Sequence, residues 1–219
     1  MNIYIPTCRR PAMAAKLIEK LPNAVLFINN CDASAYDYIP CEKVVLDMPT
    51  TDPVLCSNLA FWHMINHAEL DEDLLIIEDD TDCIYDIEKE LNERAYCIED
   101  EQGTEKYTIN PLYTPNRNTH YTPIKDEKTT VRIFHFISQN WVDTNLFIPA
   151  ALLPEFKEWY KTPPPIAKKS NGIGKYHSRK MYEAGYPMFT CVPSLLGHGD
   201  HESIIYPEGR KRVPLIAKV

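Results

Sequence analysis

Glycine is scarce in this chain, with 7 residues against 18 prolines among 219. Neither GxGxxG nor GxxxxGKS/T occurs, which excludes a dinucleotide-binding loop and a P-loop. No apolar run approaches the ~20 residues of a membrane-spanning helix. The opening MNIYIPTCRRP has no charged segment followed by a long apolar stretch, so no signal peptide is expected. There is no CxxC pair among the 7 cysteines (Cys8, Cys31, Cys41, Cys56, Cys83, Cys97 and Cys191). An odd, scattered set fits reduced thiols in cytoplasm better than a disulfide framework or a zinc knuckle. A composition of 44% hydrophobic and 25% charged residues suits a globular chain, and the length suits one domain with an elaborated insertion.

The net charge of -8 is unevenly spread. Residues 1–154 carry 12 Lys and Arg against 25 Asp and Glu, whereas residues 155–219 carry 11 against 6. Such asymmetry marks either a surface that receives a polyanion or two ends that neutralise each other within one fold.

The hydrophobic pattern alternates strands and helices. Short apolar runs at 2–5, 24–28, 43–46 and 73–77 read as strands, the second and fourth buried on both faces. Pro11 to Lys20 reads as a helix opening at proline, and Leu55, Leu59, Trp62 and Ile65 form one helical stripe. This order implies βαβ crossovers and a mainly parallel sheet. Residues 81–130 break the rhythm, with one short helix predicted near 86–96 and a loop or hairpin excursion after it. Strands are predicted at 131–137 and 145–148, and helices at 150–160 and 175–184, the last ending at Gly185.

The sharpest chemical feature is Glu78-Asp79-Asp80, directly after Leu74-Leu75-Ile76-Ile77. A buried parallel strand delivers these acids at its carboxyl end, where open α/β sheets bind ligands. Three adjacent carboxylates repel one another, and a hard divalent ion such as Mg²⁺ or Mn²⁺ offsets that cost. Alternation along an extended backbone would put Glu78 and Asp80 on one side and Asp79 on the other. The competing reading is a solvated acidic turn. His198, between Gly197 and Gly199, offers an imidazole on backbone free to approach a ligand. His201 is ambiguous, and His63, His67, His120, His135 and His177 read as surface or core residues.

Ile5-Pro6-Thr7-Cys8-Arg9-Arg10-Pro11 resembles the PTxxRP entry loop of GT-A fold glycosyltransferases. Ile76-Ile77-Glu78-Asp79-Asp80 resembles their metal-binding DxD signature, and Pro193-Ser194-Leu195 with His198 resembles the PSLxxH segment that closes the site in some of these families. The IPTxxRP opening followed closely by LP is also similar to phage-encoded glycosyltransferases that act on modified DNA bases. The resemblance covers residues 1–206 thinly and leaves 81–130 unmatched. It implies an α/β GT-A (Rossmann-like) domain in four parts: a nucleotide-binding half of about 1–80, an insertion of about 81–130, a half of about 131–206 closing the metal and acceptor site, and a basic tail at 207–219.

By position, the resemblance implies that Pro6, Thr7 and Arg9 line the nucleotide pocket, with Arg10 as the alternative phosphate contact. Asp32 would meet the base, Ser57 and Asn58 the ribose or diphosphate, and Asp79 the ribose. Glu78, Asp80 and His198 would hold Mn²⁺ or Mg²⁺. Asn58 reads equally well as a plain helix-surface residue. Inverting members present an acid as general base near the late helix, but Lys168-Lys169-Ser170-Asn171-Gly172-Ile173-Gly174 contains none; either Asp143 or Asp200 serves instead, or the enzyme retains configuration without a conventional base, or the copy is non-catalytic.

The implied activity is metal-dependent transfer of a sugar from a UDP-sugar donor to a hydroxyl. That hydroxyl could lie on a hydroxymethylated pyrimidine in DNA, held by Lys157, Lys161, Lys168, Lys169, Lys175, Arg179, Lys180 and Arg210-Lys211-Arg212. A solvated helix face and tail would explain the same cations. A glycan or protein acceptor is the alternative within the class, and the implied location is cytoplasmic, in the host if phage-encoded. A nuclease or phosphoesterase using Glu78, Asp79, Asp80, His198, Asp200 and His201, or a non-catalytic nucleotide-binding module, are the rivals from other classes.

Overall fold

A computed structural model describes residues 1–112, 126–128, 135–138, 144–164, 173–192 and 194–198, the backbone alone at 126–128, 135–138, 192 and 198. Among the described residues the strands are β1 (Asn2–Thr7), β2 (Val25–Asn29), β3 (Lys43–Leu46), β4 (Leu74–Ile76), β5 (Thr81–Cys83), β6 (Thr108–Asn110), β7 (Asp126–Lys128), β8 (His135–Ser138), β9 (Leu146–Ile148), β10 (Met188–Val192) and β11 (Leu196–His198). The helices are α1 (Pro11–Lys20), α2 (Pro53–His67), α3 (Ile87–Gln102), α4 (Leu153–Trp159) and α5 (Ile173–Ala184).

Nine strands form one sheet in the order β3-β2-β1-β4-β9-β6-β10-β8-β7, and β11 pairs with β5 in a separate ribbon. The pairings β3-β2, β2-β1, β1-β4 and β6-β10 are parallel, while β9 and β8 run against their neighbours. The result is an α/β, mostly parallel, Rossmann-like sheet flanked by helices. Its central strands β1, β2, β4, β9 and β6 are largely buried on both faces, so successive side chains join opposite cores. Ile3, Ile5, Leu26, Ile28, Leu75 and Ile77 pack with Leu17 and Ile18 of α1 and Leu91 and Ile98 of α3. Tyr4, Phe27, Leu74 and Ile76 pack on the other face with Phe61, Met64 and Ile65 of α2, Phe156 of α4 and Met181 of α5.

Local signals set the helix ends. Pro11 and Pro53 supply the fixed φ of a first turn. The Asp52 carboxylate accepts from the N–H groups of Val54 and Leu55, so α2 starts two residues before its apolar stripe. Asp86 caps α3 through the Lys89 N–H, and Gly103 ends it at φ +64. The helix therefore runs well beyond the predicted 86–96. Its acidic surface obscures a stripe of Ile87, Leu91, Ala95 and Ile98 that is buried. Of the predicted excursion after it, residues 113–125 lie outside the described residues. Thr108–Asn110 enters the sheet as β6 between β9 and β10. No described helix is long and apolar enough to cross a membrane.

Candidate functional site

β1 and β4 are neighbours, and their carboxyl ends bring Thr7 and the acidic motif together. The Thr7 hydroxyl donates to Asp79 Oδ2 at 2.7 Å. Its oxygen also lies 3.2 Å from the Tyr36 hydroxyl, which in turn accepts the Arg10 N–H at 3.1 Å. Proton bookkeeping orders the chain: Arg10 N–H to Tyr36, Tyr36 to Thr7, Thr7 to the carboxylate. Arg9 stands at φ +57 with its side chain exposed. The backbone turns there and Arg10 comes over the acids, its Nη1 lying 3.1 Å from Asp79 Oδ1 and 3.2 Å from Asp80 Oδ2.

Alternation does not hold beyond the strand. β4 ends at Ile76, and the Glu78 carbonyl accepts both the backbone N–H and the hydroxyl of Thr81, closing a turn over 78–81. Asp79 and Asp80 share one guanidinium, and Glu78 is held by Asn145. Its N–H donates to Asn145 Oδ1 at 2.9 Å, and Asn145 Nδ2 lies 3.4 Å from Glu78 Oε2. Asn145 is fully buried at the start of β9 and has no motif around it, so sequence reasoning missed it. Tyr36 was missed for the same reason.

Burial dominates the electrostatics. It pushes the Asp79 carboxyl up to about 6, against the lowering pull of Arg10 and Thr7. For Arg10 burial acts to lower the pKa, but Asp79 and Asp80 outweigh it and hold the guanidinium above its ordinary value. Burial likewise raises Tyr36 to about 12, so it stays a neutral hydroxyl.

The remaining predicted residues fall in different places. Pro6 is half-buried within β1, opposite Phe27 of β2. Asp32 is exposed and accepts from the Ser34 N–H and hydroxyl, which lower its pKa. Ser57 is half-buried on α2. Asn58 is not a surface residue: it is buried, and its Oδ1 accepts the Ile173 N–H at the start of α5. Asp143, Asp200, His201, Lys168, Lys169 and Arg210-Lys211-Arg212 lie outside the described residues, as does most of 107–123. Of the described cations, Lys161 pairs with Glu158, Arg179 and Lys180 pair with Glu183, and Lys157 donates to the Asn66 carbonyl.

The β11-β5 ribbon sets His198 opposite Thr81, one residue beyond Asp80. Among the described residues no three His, Cys, Asp or Glu side chains form a metal cluster, and the His198 ring is outside that description. The donor chemistry nevertheless fits a hard divalent ion. Two carboxylates, Glu78 and Asp80, stand at a strand end, with a histidine backbone in register beside them. Asp79 has both oxygens engaged by Thr7 and Arg10 and is set to position rather than to ligate.

No family model and no curated protein matches the sequence. Among solved structures, the chain is similar to a CMP:2-keto-3-deoxy-manno-octonic acid synthetase complexed with CTP. The identity is 9% and the TM-score 0.50, over 86% of this chain and 88% of that one. It is also similar to a Bacillus anthracis protein assigned as a glucose-1-phosphate thymidylyltransferase, in complex with sucrose. Identity is again 9% and the TM-score 0.50, over 87% and 86% of the two chains. An active-site variant of LgtC matches at 7% identity and a TM-score of 0.47, over 87% and 72%, too distant in shape to argue from. What the first two share with this chain is the fold.

Proposed function

We propose that this chain is a divalent-metal-dependent glycosyltransferase that takes its sugar from a nucleotide donor, UDP-sugar by preference. The observation that carries this reading is the meeting of Thr7, Arg10, Asp79 and Asp80 at the carboxyl ends of β1 and β4. Anionic ligands of α/β sheets bind at that end. The PTxxRP and EDD resemblances fall on these same residues. In support, one protein of similar fold was solved with CTP bound.

Each side chain then has a task. Thr7 and Arg10 fix the Asp79 carboxylate, which is placed to accept from a ribose hydroxyl. Arg10 brings a fixed positive charge within reach of a diphosphate. Asn145 orients Glu78. A divalent ion on Glu78, Asp80 and His198 would supply Lewis-acid neutralisation of the departing diphosphate. Holding the acceptor hydroxyl in line with the breaking bond provides the rest of the rate gain. Asp143 and Asp200 remain the candidates for accepting its proton.

Binding without transfer is the second reading, favoured by the absence of an acid from 168–174. The nucleic-acid acceptor rests on charge asymmetry and on the IPTxxRP resemblance, and the paired lysines and arginine of the described segment lend it no weight. Calorimetry with UDP and UDP-glucose, with and without Mn²⁺, tests the donor site. Radiolabelled sugar transfer to hydroxymethylated DNA, unmodified DNA, oligosaccharide and protein tests the acceptor. Metal-independent UDP binding, or none, overturns the metal-dependent reading. Binding with no transfer to any acceptor leaves a nucleotide-binding module, and cleavage of nucleic acid would mark a hydrolase.

A further inference from the structure

One Arg10 nitrogen serves the carboxylates of two successive residues, 3.1 Å from Asp79 and 3.2 Å from Asp80, with all three side chains 13% exposed or less. Asp79 is tied on its other oxygen by Thr7, so it is held twice. The backbone adds to the hold: the Arg10 N–H donates to Tyr36, and the chain turns at Arg9 with φ +57 to deliver Arg10 there. A left-handed non-glycine residue is strained and persists only where its surroundings fix it. The guanidinium is therefore built into the acidic turn as its counter-charge.

We infer that Arg10 and a divalent ion compete for Asp80, and that a nucleoside diphosphate settles the competition by giving the displaced guanidinium a new anionic partner. Two cations cannot share one buried carboxylate without strong repulsion, so an ion arriving alone meets an unfavourable field. An ion arriving with a diphosphate meets a favourable one, because planar guanidinium binds phosphate oxygens as well as carboxylate. Metal and nucleotide binding are coupled through this side chain, each raising the affinity of the other. Arg10 is thus a positioning residue that rejects unaccompanied metal. This rests on the metal site proposed above.

Mn²⁺ binding, followed by the electron paramagnetic resonance of the free ion, reads the coupling without any turnover. Arg10→Gln keeps a hydrogen-bond donor and removes the charge. It should bind Mn²⁺ alone at least tenfold more tightly than the wild-type chain and gain less affinity on adding UDP. Arg10→Lys should stay near wild type for Mn²⁺ alone. Circular dichroism checks that each variant folds. The wild-type chain gives a second reading: the ¹⁵N side-chain signal of Arg10, assigned by its loss in Arg10→Lys, should move on adding Mg²⁺ with UDP. Equal Mn²⁺ affinity of Arg10→Gln and wild type, or an unmoved Arg10 signal at saturating Mg²⁺ and UDP, overturns the competition. In that case, loss of the ion in Asp80→Asn would keep the metal site. Failure of every chain to bind Mn²⁺, with or without UDP, removes both.

Discussion

Asn145 grips Glu78 at two points, taking its backbone N–H at 2.9 Å and lying 3.4 Å from its carboxylate through Nδ2. The amide is fully buried, so Asn145→Ala would strand the Glu78 N–H away from water. A buried donor without an acceptor costs about 1–3 kcal/mol. Urea unfolding should show a midpoint lowered to match, and an unchanged midpoint would refute the role.

Thr7 is the second buried anchor. Thr7→Val keeps the shape and removes the 2.7 Å donor to Asp79, leaving a carboxylate oxygen unserved. A loss of about 1.5–3 kcal/mol is expected for a bond to a charged group. UDP binding should weaken with it, and Thr7→Ser should restore both. A Thr7→Val chain that binds UDP as wild type does would separate this hydroxyl from the nucleotide.

Asp80→Ala should abolish sugar transfer without unfolding the chain, since it also relieves carboxylate repulsion. His198→Ala should harm transfer more than His201→Ala. Undiminished turnover in Asp80→Ala, or the reverse order of the histidines, would reassign the ligands.

His177 is fully buried beside Phe61 and Phe156, with its Nδ1 2.8 Å from the Tyr160 hydroxyl. Burial lowers its pKa to about 3. The unfolded chain, at about 6.5, takes up the proton first. His177 therefore contributes stability that is complete above about 6.5 and falls as pH drops toward about 3, by about 1.4 kcal/mol per pH unit. Titration of unfolding free energy from pH 7 to 4.5 should be flatter in His177→Gln than in wild type. Parallel curves would show that the ring does not titrate with folding.

Gly103 ends α3 at φ +64 with nothing within 4 Å of an added Cβ. Gly103→Ala should cost only the left-handed backbone penalty of about 1 kcal/mol. A much larger fall in Tm would mean that the position is crowded.

The strands and helices of the first 80 residues were legible because their signals are local. Proline at the first turn of α1 and α2 and continuous apolar runs for β2 and β4 need no knowledge of distant chain. α3 was legible only in part because exposed acids outnumber the buried stripe beneath them. β6 is three residues, Thr108-Ile109-Asn110, made a strand by its pairing with β9 and β10 rather than by its own preference. At the site the residue types were readable and their directions were not. Alternation along 78–80 assumed an extended backbone that the turn to Thr81 ends. A positive φ at Arg9, invisible in sequence, leaves that side chain exposed and brings Arg10 over the acids.

The β11-β5 ribbon has a temporal consequence. Its partners, His198 and Thr81, lie far apart in the sequence, and a contact of such long separation must be reached across a large loop-closure entropy. The parallel block β3-β2-β1-β4, joined by short crossovers, has no such delay. Thr7, Arg10 and the two aspartates can meet as soon as that block forms, while the histidine arrives only with the slow, distant pairing. A folding chain would therefore hold its two aspartates beside Arg10 well before His198 comes into register opposite Thr81.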